Sequence, residues 1–344
     1  MPIRILLVGA GSIGAFFGSR LATVSNVAVS ALCRSNYQAV KDHGFKVTSP
    51  IFGNVTFKPE HVLGRPTDAL KSKQRWDFLL VATKALPDVS DDSSLIEGLV
   101  DDKTTIVLMQ NGLGVEEPYR KRFPKATILS GVTMASTAQP CPGVIKHNRW
   151  TSTSIGYYLA RGDGSGQHDL DIEDARKQVE TFVELLKAGG IEDADAHDHD
   201  NMQFVRWHKT AINCAMNPSS VLSGGAGNQI MALDQDLNEH VQGVMNEVLY
   251  AASVVLGKPV PFDALRLLGP EQVLASVAKN TSGSRPSMWQ DWEKGYKMEL
   301  EVILGSPIKL AREKGIQLPR VQTMYALLKK AQQMRDQAIA NSKM

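Results

Sequence analysis

Residues 3–21 read IRILLVGAGSIGAFFGSRL, and their reading decides the fold. The apolar run ILLV has the character of a strand covered on both faces, and it enters the glycine turn GAGSIG at residues 9–14. An apolar segment with helical spacing follows. Strand, glycine turn and helix in that order suit a dinucleotide. Gly9 permits the tight turn, Gly11 lets the backbone approach a pyrophosphate, and Gly14 lets the helix pack closely. The free N–H groups at the helix start then face the phosphate charge. Gly9, Ala10, Gly11, Ser12, Ile13 and Gly14 are therefore the candidate phosphate contacts, with a purely structural glycine turn as the competing reading. GxGxxG alone is weak; its place between ILLV and a helix makes it specific.

The next strand candidate, VAVSALCR, ends in Arg34 and Ser35 where an acid would accept hydrogen bonds from an unsubstituted adenosine ribose. A guanidinium matches a 2′-phosphate instead, so the sequence favours NADPH over NADH, although Arg34 would serve equally as a solvent-facing side chain. Lys84 in VATKA points the same way, because the carboxyl end of a strand lies beside the nucleotide. FGNVTFKPE has period-two character, and WDFLLVATKA, TTIVLMQNG and ATILSGVTMA read as buried strands of a mostly parallel sheet. GVIKHN and TSTSIGYYLA are expected as antiparallel additions to it. RGDGSGQHDLDIEDA, from Arg161 to Ala175, reads as a solvent loop opening onto a helix, and AHDHD, ending at Asp200, as an exposed turn rather than a metal site.

After Asp200 the period changes to that of helices and strand signals almost vanish. The expected organisation is an α/β Rossmann-like domain over residues 1–200 followed by an all-helical domain over 201–344. The chain has 344 residues, 43% of them hydrophobic, enough to bury a large core. Thirty-eight Lys and Arg against thirty-six Asp and Glu leave a formal charge of +2, with no block of one sign. That balance argues against nucleic acid or an anionic membrane as partner. Cys33, Cys141 and Cys214 are widely spaced, fit a reducing compartment and form no metal cluster. The uncharged run from Ile5 to Ser19 falls short of the roughly 20 residues that span a bilayer. It also lacks the marks of a secretory signal, so a cytoplasmic protein is expected.

Two features of the helical half carry chemistry. In a helix through Phe204 and Ala215, Arg206, Lys209, Asn213 and Asn217 form a polar stripe. Two asparagines one turn apart need packing partners or a ligand, unless the stripe is simply exposed. Trp292, Tyr296, Glu299, Ile303 and Leu310 recur at helical spacing, which puts a carboxylate in an apolar stripe and requires a partner for it, such as a lysine. SMWQ at residues 287–290 has the form of a capping box led by Ser287.

These motifs together resemble the ketopantoate (2-dehydropantoate) 2-reductases and related reductases of 2-keto acids. The likeness rests on GAGSIG with Arg34, VATKA, QNGLG at 110–114, RWHKTAINCAMNP at 206–218, SMWQD at 287–291, and KMELEVILG leading to GIQLP, and it covers most of the chain. It implies NADPH and a small 2-keto acid held in a cleft between a Rossmann-like and a helical domain. By the same resemblance Lys209 is the catalytic proton donor, and Asn111 stands beside the nicotinamide and the reacting carbonyl, an Asn-Gly turn being its alternative. Asn213 and Asn217 line the substrate pocket, Ser287 meets the substrate carboxylate, and Glu299 accepts from the 4-hydroxyl of ketopantoate. Ser284 stands where close relatives of the pantoate enzymes often carry asparagine, followed by Arg285 and Pro286, and this departure bears on substrate identity. His208 is expected to be structural.

The function implied is NADPH-dependent reduction of ketopantoate to D-pantoate. A D-2-hydroxyacid dehydrogenase with another side-chain preference and a catalytically silent NADP(H)-binding protein are the alternatives. The sequence carries no clear oligomer contact, and homodimerisation stays open.

Overall fold

Ile5 and Leu7 lie in one hydrophobic core and Leu6 and Val8 in another, which is why the first strand has no polar face. In the computed structural model, which describes residues 2–160 and 171–341, the chain forms two units. The first contains Met1–Lys84, Asp91–Gln110 and Val115–Met202; the second contains Ala85–Ser90, Asn111–Gly114 and Gln203–Met344. The division after Met202 falls inside a helix, and two short pieces from the α/β half belong to the second unit.

The strands of the first unit are β1 (Ile3–Val8), β2 (Val27–Leu32), β3 (Phe45–Ser49), β4 (Gly53–Phe57), β5 (Val62–Leu63) and β6 (Phe78–Val81). They continue with β7 (Thr105–Leu108), β8 (Thr127–Thr133), β9 (Ser136–Cys141), β10 (Val144–Arg149), β11 (Thr153–Tyr157) and β12 (Ala194–His197). The helices are α1 (Ser12–Leu21), α2 (Tyr37–His43), α3 (Pro66–Lys71), α4 (Glu117–Arg122) and α5 (Ile172–Ala188). The main sheet runs β12-β11-β8-β7-β6-β1-β2-β5. It is parallel from β5 to β8; β11 then pairs antiparallel with β8. Strand order reverses at β1, between β2 and β6, and the glycine turn leaves the carboxyl end of that strand, the usual nucleotide position in an open α/β sheet.

Three expectations need correction here. GVIKHN is β10 and does not join the main sheet. It pairs antiparallel with β9 and parallel with β3, in a separate sheet ordered β4-β3-β10-β9. The alternating burial of β3 is that of a strand packed on one face only, whereas β6 and β7 are buried throughout. AHDHD is exposed at Ala196, Asp198 and Asp200 but is not a turn: β12 ends at His197, and His199 opens the next helix with Nδ1 accepting the Leu159 N–H at 3.1 Å. Asp198 accepts the Asn201 N–H at 2.8 Å and so caps that helix. Of the expected solvent loop, residues 161–170 lie outside the described residues, and Asp171 already caps α5 through the N–H groups of Glu173 and Asp174.

The second unit is built from α6 (His199–Leu222), α7 (Asn228–Leu233), α8 (Gln235–Leu256), α9 (Pro270–Ala278), α10 (Ser287–Glu293), a π-helical turn at Glu301–Gly305, α11 (Ser306–Glu313) and α12 (Pro319–Asn341). The third correction lies here, because Trp292, Tyr296, Glu299, Ile303 and Leu310 do not share one helix. Gly295, at φ +72°, ends α10. Its N–H bonds to Trp292 O at 3.1 Å and the Tyr296 N–H to Asp291 O at 2.8 Å, the paired bonds of a glycine-terminated helix. Tyr296 is consequently 59% exposed while Glu299 and Ile303 are buried, so the apolar stripe read through Glu299 does not exist as such. No helix among the described residues is long and apolar enough to cross a membrane.

Candidate active site

In the first unit the glycine turn fits a dinucleotide phosphate. Gly9 has φ +93°, and a Cβ there would stand 2.5 Å from Thr83 N. A Cβ on Gly14 would strike the Gly9 carbonyl oxygen, whereas one on Gly11 would meet no protein atom within 4 Å. Open space over Gly11 is what an approaching pyrophosphate needs. Gly11 is the N-cap of α1 and has no side chain to cap it, so the leading N–H groups of Ser12 and Ile13 have no intrahelical acceptor. Ala10 is buried, and its carbonyl accepts from Asn36 Nδ2 at 2.7 Å. Arg34 is exposed beyond β2, with its guanidinium unengaged among the described residues; Lys84 is exposed beyond β6. The floor is a polar chain in which Gln110 Nε2 donates to Thr83 Oγ1 at 3.0 Å and Thr83 Oγ1 to Asp92 Oδ2 at 2.6 Å.

The other expected site residues lie in the second unit. Arg206, Asn213 and Asn217 are all buried on α6, so the polar stripe is not an exposed one. Lys209 keeps part of its chain exposed. Even so, burial of its ammonium lowers the pKa from 10.5 to about 8, and no carboxylate pairs with it among the described residues. His208 donates to Leu268 O at 2.8 Å, and burial holds its pKa below the usual histidine value.

A single set of bonds joins α6 to the π-helical turn and to the loop of Asn111. Cys214 Sγ donates to Ile303 O at 2.8 Å, Leu113 N–H to Val302 O at 2.9 Å, and Arg206 Nη1 to Gly112 O at 3.0 Å. Pro307 brings no N–H to this turn, and the carbonyls of Val302 and Ile303 find their partners outside it. Gly112 has φ +91°, and a Cβ on it would lie 2.5 Å from Val302 O. Gly112 is therefore a bend in the chain that packs directly on the π-helical turn. Glu299 is buried, and its Oε1 accepts the Ala85 N–H at 3.0 Å.

Ser284 and Ser287 belong to a second set of bonds. Ser287 is the exposed first residue of α10, and the capping box expected from SMWQ does not form. Pro286 is the N-cap, and Gln290 Nε2 donates to Arg285 O at 3.1 Å. The Pro286 ring, which fixes φ and carries no N–H, takes the helix start from Ser287. Ser284 Oγ accepts from Asn228 Nδ2 and Asn280 Nδ2, each at 3.1 Å. Arg285 pairs with Glu293 at 3.6 Å on the surface.

Sequence reasoning missed Asn36, Arg206 as a loop holder, and the Asn228 and Asn280 amides. Only Arg206 left a local signal, as a charge within an otherwise buried helical run. Asn36 and Asn228 act through contacts 26 and 56 positions away, and Asn280 through one only four positions on, within an irregular segment that carries no periodic pattern.

Two family models match the chain: "Ketopantoate reductase PanE/ApbA" over residues 5–160 and "Ketopantoate reductase PanE/ApbA C terminal" over residues 201–332. The chain is 26% identical to the Meiotically up-regulated gene 72 protein of Schizosaccharomyces pombe over 94% of its own length, and it spans 56% of that relative's length. It is similar to the crystal structure of 2-dehydropantoate 2-reductase from Methylococcus capsulatus, at TM-score 0.78 and 29% identity over 96% of this chain and 97% of that one. The fold also matches D-mandelate dehydrogenase in a ternary structure with NADH and anilino(oxo)acetate, at TM-score 0.76 and 21% identity over 97% and 99% of the two chains. With both halves matched, the chain belongs to the ketopantoate reductase family of oxidoreductases.

Proposed function

We propose that this protein reduces the C2 carbonyl of 2-dehydropantoate with NADPH, giving D-pantoate and NADP. The observation that carries the reading is Lys209: an ammonium with no counter-ion among the described residues, its pKa lowered to about 8 by burial, on the helix that also carries buried Asn213 and Asn217. Gly9 to Gly14 and the N-terminus of α1 hold the pyrophosphate, Arg34 and Lys84 meet the adenosine 2′-phosphate side, and the bound cofactor supplies a hydride. As the carbonyl oxygen gains charge, Lys209 stabilises it and delivers the proton. Asn111 orients the carbonyl. Asn213 and Asn217 line the substrate pocket, Ser287 meets the carboxylate, and Glu299 accepts a hydrogen bond from the 4-hydroxyl.

The second reading is a D-2-hydroxyacid dehydrogenase of other side-chain preference. Ser284 favours it, since its hydroxyl oxygen is held by two asparagine amides in place of a longer side chain reaching the substrate. Steady-state NADPH oxidation with ketopantoate, pyruvate, and a branched or aromatic 2-keto acid decides between them. Fastest turnover with ketopantoate supports the first reading and fastest turnover with a non-hydroxylated acid the second. Turnover with none rejects both.

A further inference from the structure

Asn36 occupies the N-cap of α2, where an asparagine side chain ordinarily accepts a backbone N–H of the first turn. It makes no such cap. Its amide is buried instead, and it donates across 26 positions of sequence to the Ala10 carbonyl at 2.7 Å. A carbonyl only accepts, so the NH₂ end of the side chain must face Ala10. The neighbouring Gly9 carbonyl oxygen likewise faces the protein, standing where a Cβ on Gly14 would strike it. The Ala10 oxygen is thereby held by Asn36 and the Gly9 oxygen faces Gly14, so the positive end of the helix faces an incoming anion without a competing lone pair.

We propose that Asn36 is a positioning residue for the cofactor, holding the Ala10–Gly11 peptide in the orientation that exposes N–H groups to the pyrophosphate. The inference rests on the dinucleotide reading of this turn. Without Asn36 the buried Ala10 carbonyl loses its partner, and the peptide can rotate its oxygen toward the phosphate. Because NADH and NADPH share the pyrophosphate, the effect must fall equally on both, unlike that of Arg34.

The test measures Kd for NADPH and for NADH by fluorescence titration of the full-length protein, alongside steady-state kinetics. Asn36→Asp keeps an N-cap residue and removes the donor. Asn36→Ser, whose hydroxyl can cap α2 but is too short for Ala10, serves if the aspartate variant does not fold. Either variant is expected to raise both Kd values by a similar factor, on the order of tenfold, and to raise the KM for cofactor while leaving kcat at saturating cofactor unchanged. A folded variant with unchanged Kd values, a loss confined to NADPH, or a fall in kcat without a change in Kd would overturn the proposal. Wild-type protein that binds neither nucleotide would instead reject the dinucleotide reading, and the inference with it.

Discussion

Glu299 Oε1 accepts the backbone N–H of Ala85 at 3.0 Å, joining two residues 214 positions apart. The carboxylate that the sequence left in need of a partner thus secures a backbone amide of the Ala85–Ser90 piece, and both residues are buried. An amide oxygen accepts as well as a carboxylate at that position. Glu299→Gln is expected to keep its melting temperature while its KM for a hydroxylated 2-keto acid rises. Glu299→Ala leaves the Ala85 N–H without this acceptor and is expected to lose about 1–3 kcal/mol in denaturant unfolding. Equal stability of the two variants would refute the structural part of this account.

As the proposed proton donor, Lys209 predicts a pH dependence for turnover. Its ammonium titrates at about 8 rather than 10.5, so the proton-donating form disappears as pH rises through 8. Reduction is expected to slow across that interval, where an ordinary lysine would still be protonated. Lys209→Ala should lose most turnover while binding NADPH, and a rate flat from pH 7 to about 10 in the wild-type protein would exclude the assignment.

The same residue predicts a stability effect of opposite sense. Below pH 8 Lys209 is protonated in both folded and unfolded states, and the folded state bears the full cost of desolvating it. Between 8 and 10.5 the unfolded chain binds the extra proton, so folding is favoured as pH rises. Lys209→Met should therefore melt higher than wild type at pH 7, and the advantage should shrink as pH approaches 10.5. Thermal unfolding across that range checks the sign; an advantage that grows with pH would contradict it.

Gly112 tolerates no side chain. An added methyl would meet Val302 O at 2.5 Å, and its φ of +91° is strained for any other residue. Gly112→Ala is expected to cost more than 2 kcal/mol or so and to lower kcat by displacing Asn111. Arg206→Lys, which keeps the charge but loses the planar donor fork, should show the milder version of the same defect. Chemical denaturation and kcat measured on both variants test this; a stable, fully active Gly112→Ala protein would remove the loop from the mechanism.

Arg34 is predicted to discriminate between cofactors. Arg34→Asp places a negative charge where the 2′-phosphate would lie, so Kd should rise more for NADPH than for NADH. Equal changes in the two titrations would assign the choice of cofactor to other residues.

Much of the α/β half was legible because its signals are local. ILLV entering GAGSIG states strand, turn and helix within a dozen residues, and the change of hydrophobic period after Asp200 marks the helical half without reference to contacts. The polar stripe of Lys209, Asn213 and Asn217 was also readable, since residues three and four apart share a helix face. The break of residues 287–305 had a local signal in Gly295, outweighed by apolar spacing that continued past it. The rest was decided by tertiary structure: that β10 pairs with β3, that Asn36 reaches Ala10, that Glu299 meets Ala85, and that Arg206 and Val302 grip the loop of Gly112. Periodicity records which face of an element is apolar, but a buried donor or acceptor takes whichever partner the packing brings to it. Those partners lie 26 to 214 positions away, beyond the reach of any local pattern.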